Sequence, residues 1–425
     1  MATLVQKFGG TSVGTPQQFL DVARRILQAR ERGHRVVVVV SAMGQTTDEL
    51  IDLAYSVTPR PPRREMDMLL TAGERISMAL LAMALDRLDA PAISFTGSQS
   101  GIITDERHSD ARIVEIRPMR IEQALEEDRV VIVAGFQGVS SKKEVTTLGR
   151  GGSDTTAVAL AIRFGSPWCE IFTDVPGVLS ADPRIVPAAR RLDRIGHDPM
   201  ILLSHLGAQV LFRRSVILAR KFGMPIRVLP SAEDGPGTWI GAEASMSAGP
   251  TPSSSPSPAS GASSSPAHAP LETDRIVSVA LEPRCVAIEV EGDGDASTLL
   301  GVLEADPAAI WTWVETHPLA PGKVLVRGVA PAPGPDEEAL RERCRPHRAI
   351  CRVCRDVAVV SLVGEGILSR PALLAEAWKR LSEAGVEVRA ARSASLSLSY
   401  LVAESQAGDA VRCLHAAFLE EPSRQ

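Results

Sequence analysis

Residues 145–162 read VTTLGRGGSDTTAVALAI, which places one arginine among three glycines and a Ser-Asp pair before a run of small apolar residues. The alanine-rich run from Asp154 to Ile162 favours a helix, with Ser153 as its N-cap. Free N–H groups at a helix N-terminus attract anions, so this segment suits a phosphate or a carboxylate. The segment matches neither G-x-G-x-x-G nor the P-loop, and its spacing supports an anion-binding loop and a plain capping turn equally.

A second glycine turn, KFGGTS at residues 7–12, follows the first predicted strand. There Lys7 would leave the strand beside the N–H groups of Gly9 and Gly10, an arrangement that suits the β- and γ-phosphates of a nucleotide. The alternative is that Lys7 protects an edge strand. Similarly, Glu74 and Arg75 could lie on a solvated helix face.

The elements that must position these residues alternate between short apolar runs and helical patterns. Strand-like runs occur at 4–8, 35–44, 92–95, 130–136 and 169–174, and helical spacing covers 16–32 and 66–88. This order predicts an α/β fold with a mostly parallel sheet, in which ligands bind beyond the carboxyl ends of the strands.

The composition changes sharply at residues 245–270, which are almost entirely Ser, Pro, Ala and Gly. Such a stretch predicts a mobile linker between units that fold on their own cores. After it, a βαββα pattern occurs twice, which is the outline of a small ferredoxin-like module. We therefore predict an α/β domain at 1–240, a linker at 241–272, and two modules at 273–350 and 351–425.

Bulk composition excludes several classes of protein. The 425 residues carry a formal net charge of −5, which gives no electrostatic support for nucleic-acid binding. We find no uninterrupted apolar stretch of membrane-spanning length and no signal peptide. Six cysteines without secretory features are typical of reduced thiols. We therefore expect a cytoplasmic protein that binds neither nucleic acid nor membranes.

Eight segments within residues 4–230, in the family's order, make the chain resemble the aspartokinases of the amino-acid kinase family. They are VQKFGGTSV (5–13), VVSAMGQTTDEL (39–50), TAGERIS (71–77), TGSQSGIITDERHSDARI (96–113), AGFQGVS (134–140), TTLGRGGSDTTA (146–157), TDVPGVLSADPR (173–184) and LGAQVL (206–211). The resemblance implies a carbamate-kinase-like three-layer α/β sandwich followed by tandem ACT modules of βαββαβ topology. It also implies ATP- and Mg²⁺-dependent phosphorylation of the side-chain carboxylate of L-aspartate to 4-phospho-L-aspartate, the first step of aspartate-family amino-acid biosynthesis.

The resemblance also implies roles for individual residues. Lys7 would stabilise the transferring phosphoryl group, and Asp154 would organise Lys7 and the metal-bound nucleotide. Arg150 would bind a substrate carboxylate with its guanidinium fork, and Glu74 would pair with the α-ammonium group. Gly9 and Gly10 would be backbone donors, and Ser41 and Thr47 would add hydroxyl contacts. The adenine and ribose end of the nucleotide would be held by Thr173, Asp174, Asp182 and Arg184.

Some positions depart from the family pattern. Leu179 stands where many relatives have an aromatic residue, Gln209 stands where they have lysine, and VLFRR (210–214) replaces VLHPR. The loss of a stacking partner and of a cation would weaken ATP binding by about 1–2 kcal/mol each, so we expect a raised KM for ATP.

The first module departs further. EGDGDAS (291–297) occupies the place of a D-x-P-G effector turn, so we expect weak or absent feedback by lysine and threonine. The ACT modules would then serve mainly as the surface of a homodimer.

Two alternative functions remain at this stage. The chain could be a related kinase that acts on glutamate or N-acetylglutamate, or a non-catalytic ACT-type ligand sensor. Tandem ACT-like modules with TAGERIS disfavour the first, and the presence of Lys7, Arg150 and Asp154 disfavours the second.

A structural zinc site is suggested by the C-x₂-C spacing, although the absence of a second such pair favours ordinary thiols. Its residues would be Cys344, His347, Cys351 and Cys354.

Overall fold

The computed structural model describes residues 1–241, 275–293, 295–304 and 311–420. The Ser/Pro/Ala-rich stretch predicted to be a linker lies outside the described residues. The chain forms two compact units. The first contains residues 1–178, 191–201 and 209–241, and the second contains 179–190, 202–208 and the described residues from 275 onward.

The first unit is built on a parallel sheet, as the sequence predicts. Strands in residues 1–241 are β1 (Thr3–Phe8), β2 (Arg35–Val40), β3 (Ala92–Phe95), β4 (Ile102–Thr104), β5 (Ile113–Ile116), β6 (Val130–Ala134), β7 (Gln137–Ser140), β8 (Val145–Thr147), β9 (Cys169–Thr173), β10 (Arg194–Ile195), β11 (Ile226–Pro230) and β12 (Thr238–Ile240). Eight of them form one sheet in the order β10-β12-β11-β9-β1-β2-β6-β3, in which β12 is antiparallel to β11. Strands β5-β4-β7-β8 form a separate small sheet.

Helices cover the large sheet. In residues 1–241 they are α1 (Pro16–Glu31), α2 (Thr46–Val57), α3 (Arg63–Asp86), α4 (Met119–Glu126), α5 (Gly152–Arg163), α6 (His197–His205) and α7 (Arg213–Phe222). Apolar residues of α1 and α3 form one core with alternate residues of β1 and β2, while α5 contacts β1, β2 and β9. Residues 36–40 are accordingly all buried, as expected of a strand covered on both faces.

Helix α3 has the length and apolar composition of a membrane span. However, its buried residues include Asp67, Thr71 and Glu74, and the helix contacts α1, β3 and β6 of its own unit. Buried polar groups and packing of this kind are typical of a helix inside a folded domain.

The second unit contains both predicted βαββα repeats. The first repeat is β13 (Ile276–Asp293), α8 (Ala296–Glu304), β14 (Trp313–Ala320), β15 (Lys323–Pro331) and α9 (Glu337–Cys344); the second is β16 (Ile350–Gly364), α10 (Pro371–Glu383), β17 (Val388–Ala394), β18 (Ser397–Ala403) and α11 (Ala407–His415). All six strands form one sheet in the order β14-β15-β13-β16-β18-β17.

The two long strands, β13 and β16, join the modules. The first half of β13 pairs with the second half of β16, and the second half of β13 pairs with the first half of β16. Strand β13 also pairs with β15, and β16 also pairs with β18. Each long strand therefore contributes to the sheet of both modules.

Candidate active site

Lys7 lies on a central strand, not at an edge. In the sheet it pairs with Val39 of β2 and with Ile171 of β9, so the edge-strand interpretation is wrong. Its Nζ lies 2.7 Å from Asp154 Oδ1, and the two side chains are only 12% and 9% exposed. An ion pair shielded from water in this way interacts more strongly than a surface pair. It fixes the ammonium group of Lys7 at the first turn of α5.

The glycine turn after β1 packs closely against the turn after β2. A Cβ atom at Gly10 would lie 2.6 Å from the carbonyl oxygen of Ala42, so only glycine fits there. Gly10 O also accepts a hydrogen bond from Gly44 N at 3.0 Å. A Cβ at Gly9 would lie 3.5 Å from Lys7 Nζ, which shows that the bare backbone of this turn adjoins the lysine. The carboxyl ends of β1 and β2 thus form one surface of backbone beside a fixed cation.

Glu74 reaches the same surface from α3. It is only 3% exposed, so the solvated-face interpretation is wrong for this residue. Its Oε1 accepts a hydrogen bond from Ala42 N at 3.2 Å, whereas its buried Oε2 has no hydrogen-bond partner among the described residues. Burial raises the pKa of Glu74 to about 7. A buried carboxylate with one free oxygen is suited to a cationic ligand.

Ser41 and Thr47 lie on either side of Ala42 in the sequence, and Ala42 N is the donor to Glu74. Ser41 precedes Ala42 and donates its backbone N–H to Phe8 O at 3.1 Å, which ties it to the end of β1. Thr47 lies in the first turn of α2 and is partly buried. Ser41 therefore begins the turn after β2, and Thr47 lies just beyond that turn, at the start of α2.

The loop that contains Arg150 turns through two left-handed glycines. Gly149 has φ +74° and Gly151 has φ +66°. Gly151 is the N-cap of α5, so the prediction that Ser153 caps this helix is wrong. The left-handed glycine already turns the chain into the helix, and Ser153 instead packs against Gly135, where a Cβ would lie 2.7 Å from its Oγ.

Arg150 itself is exposed, and its side chain has no ion-pair partner within the described part of the chain. The loop therefore presents a guanidinium group that the folded protein leaves available for an anion.

Phe212 and Arg214, to which the motifs assigned no role, hold this loop. Phe212 N donates to Asp154 Oδ2 at 3.3 Å, and its ring lies against Gly151, where a Cβ would come within 2.0 Å of it. Arg214 donates to the carbonyl oxygen of Leu148 at 2.8 Å. The sequence signal for Phe212 was the replacement of VLHPR by VLFRR, in which Arg214 is the arginine that both strings share.

The residues predicted at the adenine and ribose end fall in both units. Thr173 ends β9 in the first unit, and its hydroxyl donates to the exposed Asp174 at 3.1 Å. Asp182 and Arg184 belong to the second unit and pair with each other, with Nη2 2.6 Å from Oδ2. The guanidinium group lowers the pKa of Asp182. The structure thus brings Lys7 and its glycine turn together with Asp154, Ser41 and Glu74, and places Thr173 directly after Phe172, whose carbonyl accepts from Gly9 N.

The cysteine-rich segment shows no metal geometry. Cys344 is buried at the end of α9, while Cys351 is partly buried and Cys354 is exposed on β16. Within the ranges that the structure describes, no three His, Cys, Asp or Glu side chains are grouped to hold a metal ion.

Comparison with known proteins identifies the family. The sequence profile of the amino acid kinase family matches residues 2–230, and that of the ACT domain matches residues 360–418. An aspartokinase from Corynebacterium efficiens is 41% identical over 427 residues, which cover 98% of this chain and 96% of the relative. One from Thermus thermophilus is 39% identical over 440 residues, which cover 98% and 99% of the two chains.

A solved aspartokinase structure has the same fold as this chain. Escherichia coli aspartokinase III in complex with aspartate and ADP has a TM-score of 0.78 over 99% of this chain and 100% of that chain, at 22% identity. The resemblance drawn from the motifs is therefore confirmed over nearly the whole chain: the protein belongs to the aspartokinases of the amino acid kinase family.

Proposed function

We propose that this protein transfers the γ-phosphoryl group of ATP to the side-chain carboxylate of L-aspartate and so forms 4-phospho-L-aspartate for amino-acid biosynthesis. The observation that carries the assignment is the shielded pair of Lys7 and Asp154, 2.7 Å apart, at the end of a strand that runs into the Gly9–Gly10 turn. The names of relatives that match over nearly the whole chain support the choice of aspartate as acceptor.

The chemistry requires positioning and charge, not a base. The acceptor carboxylate is already ionised at neutral pH, so no proton has to be removed from it. The difficulty is the repulsion between two anions, which fixed cations and backbone donors reduce. Lys7 supplies the cation, and the N–H of Gly10 would supply a backbone donor. The N–H of Gly9, which the motif also suggested as a donor, is bonded to Phe172 O at 3.4 Å. Asp154 holds Lys7 in place through the ion pair, and Phe212 N holds Asp154.

Aspartate recognition is assigned to groups of opposite charge. The free Oε2 of Glu74 would accept a hydrogen bond from the α-ammonium group of aspartate, because a buried carboxylate is stabilised most by a charged donor. Arg150 would form a bidentate pair with a carboxylate of the substrate. The hydroxyl groups of Ser41 and Thr47 would add hydrogen bonds to the substrate.

The residues present also fit a nucleotide with its metal. Mg²⁺ is held in such sites by one or two carboxylates together with the substrate phosphates, and it would lower the charge of the triphosphate. Asp154 offers a carboxylate beside Lys7, and the glycine turn is a surface that a side chain at residue 10 would fill. Thr173, Asp174, Asp182 and Arg184 are assigned to the adenine and ribose end. Because Leu179 and Gln209 provide neither stacking nor charge there, we expect a KM for ATP above that of relatives.

The second unit is proposed to form a homodimer through its ACT modules, with lysine or threonine as weak effectors at most. We assign the protein to the cytoplasm, with L-aspartate and MgATP as its ligands. No feature of the described residues favours a role as a non-catalytic sensor, since Lys7, Arg150 and Asp154 are all in place.

The proposal is tested by ADP release with MgATP and each of L-aspartate, L-glutamate and N-acetyl-L-glutamate. Hydroxylamine should trap an acyl phosphate only with aspartate. Arg150→Gln should raise KM for aspartate about tenfold or more, because a charged hydrogen bond is lost. As a matched control, Arg163→Gln removes an exposed arginine from the end of α5. Turnover of another acceptor in preference to aspartate, or no acyl phosphate at all, would refute the assignment.

A further inference from the structure

The Arg150 loop is held by an arginine of helix α7. Arg214 donates from Nη1 to Leu148 O at 2.8 Å and from Nη2 to Ala111 O at 2.7 Å. Its side chain is 28% exposed, so these bonds are partly shielded from water. One guanidinium fork therefore joins the chain just before Arg150 to the neighbouring loop that contains Ala111.

A buried carboxylate of helix α3 joins the same two segments from another side. Asp67 is fully buried and accepts from Thr147 Oγ1 at 2.6 Å and from Ser109 N at 3.0 Å. Its Oδ2 also lies 2.7 Å from His108 Nδ1. The segments contact each other directly as well, because Ala111 N donates to Thr147 O at 2.9 Å. Arg214 and Asp67 thus each form hydrogen bonds to both segments, residues 108–111 and residues 147–149.

This arrangement matters because no hydrogen bond or ion pair within the described residues fixes the orientation of the Arg150 side chain. Its side chain is exposed, and the described residues provide it with no ion pair. Its direction depends on the backbone between Gly149 and Gly151, two residues with great conformational freedom. The bonds at Leu148 and Thr147 restrict that backbone immediately before the loop begins.

We propose that Arg214 is a positioning residue for aspartate binding, which acts by fixing the loop that presents Arg150 to the substrate carboxylate. The inference rests on the proposed function, since Arg150 is the group through which Arg214 acts. Without Arg214, two carbonyl groups lose a charged donor and the loop gains freedom. The substrate must then order Arg150 on binding, and this cost weakens its affinity.

The test is steady-state kinetics of Arg214→Gln and Arg214→Lys beside the control Arg220→Gln. Arg220 lies on the same helix and pairs with Asp198 at the surface. We expect KM for aspartate to rise about tenfold in Arg214→Gln and less in Arg214→Lys, which keeps the charge but not the fork. KM for ATP should change less than twofold, and Arg220→Gln should match the wild type. An equal rise of both KM values, or a wild-type KM for aspartate in folded Arg214→Gln, overturns the proposal.

A double-mutant cycle separates positioning from a general structural effect. If Arg214 acts through Arg150, adding Arg214→Gln to Arg150→Gln should change KM for aspartate less than about twofold. Independent, multiplicative effects overturn the proposal while leaving the proposed function intact, whereas a wild-type KM in Arg150→Gln alone overturns both. Should Arg214→Gln fail to fold, Asp67→Asn and Arg214→Lys take its place, and a wild-type KM for aspartate in both overturns the proposal.

Discussion

At the scale of single residues, the shielded pair of Lys7 and Asp154 is the feature on which phosphoryl transfer depends. Lys7→Ala removes the fixed cation and leaves a carboxylate that is 9% exposed without its counterion. We expect kcat to fall about a thousandfold, because an electrostatic group that faces the transferring phosphoryl is lost. The measurement is aspartate-dependent ADP release, with circular dichroism to verify folding and Lys143→Ala as an exposed-lysine control. Near-normal turnover in folded Lys7→Ala would show that the lysine has another role.

Glu74 should give the enzyme a pH dependence whose sign follows from its environment. Burial raises its pKa to about 7, and only the ionised carboxylate can pair with the α-ammonium group of the substrate. The value of kcat/KM for aspartate, which reports on the enzyme before aspartate binds, should therefore rise with pH up to about 7 and then level off.

In Glu74→Gln that inflection should vanish, and kcat/KM at pH 8 should be lower than in the wild type. The comparison needs profiles of both proteins from pH 5.5 to 8.5, with ATP saturating. A wild-type profile that is flat between pH 6 and 8 contradicts the assignment of Glu74.

The same residues show how far sequence reasoning reaches. The motifs named Lys7, Arg150 and Asp154, but spacing could not show that the lysine and the aspartate meet, since they are far apart in the chain. Arg214 escaped notice because its bonds go to the backbone carbonyls of Leu148 and Ala111. Every residue has a backbone carbonyl, so a hydrogen bond to one does not require a particular residue type at the accepting position.

At the scale of elements, the two ends of helix α5 provide a matched pair of glycines. Gly151 precedes the helix at φ +66°, and Gly165 follows it at φ +59°. A Cβ at Gly165 would meet no atom within 4 Å, so Gly165→Ala should cost only the left-handed strain, about 1 kcal/mol. A Cβ at Gly151 would come within 2.0 Å of the Phe212 ring, so Gly151→Ala should cost about 2–5 kcal/mol.

These costs are measurable as free energies of unfolding in urea. Gly151→Ala should also lose activity, since the displaced Phe212 can no longer donate its N–H to Asp154, whereas Gly165→Ala should retain wild-type kcat. Phe212→Ala should relieve part of the loss of stability when it is combined with Gly151→Ala. Equal effects of the two single substitutions would contradict the close packing of Phe212 on this turn.

Elements with clear periodicity were predictable from the sequence, and the strands of the small sheet were not. The apolar runs at β1, β2, β6 and β9 and the helical spacing of α1 and α3 have clear periodicity, and all are present. The small sheet β5-β4-β7-β8 was missed, because strands of only three or four residues are too short to show a clear alternation of apolar and polar residues. The start of α5 was misplaced because a left-handed glycine, not a serine side chain, turns the chain into the helix.

At the scale of the whole molecule, the second unit is one sheet built from two repeats. The repeats were predictable from their alternating patterns, but the shared sheet was not, because periodicity does not specify which strands pair. The 18 residues of β13 and the 15 residues of β16 serve both modules. Neither module completes its sheet without a strand that the other also uses.

The turn between β13 and α8 leads to the last prediction, which concerns regulation. The predicted departure from the family's effector turn includes Gly294, which lies outside the described residues. On either side of it, two acidic side chains are already engaged. Glu291 pairs with Lys323 at 2.6 Å and with Arg352 at 3.2 Å, and Asp295 accepts from Thr298 N at 2.7 Å at the start of α8.

Carboxylates that are satisfied within the fold have little to gain from the ammonium group of an amino-acid effector. We therefore expect lysine and threonine, alone or together at 1 mM, to leave kcat and KM for aspartate unchanged. Thermal unfolding gives an independent measurement, because a ligand that binds the native state raises the midpoint. Aspartate, the positive control, should raise it, while lysine and threonine should not. Inhibition below 1 mM with a matching rise in midpoint would mean that this turn, or another surface of the second unit, still binds an effector.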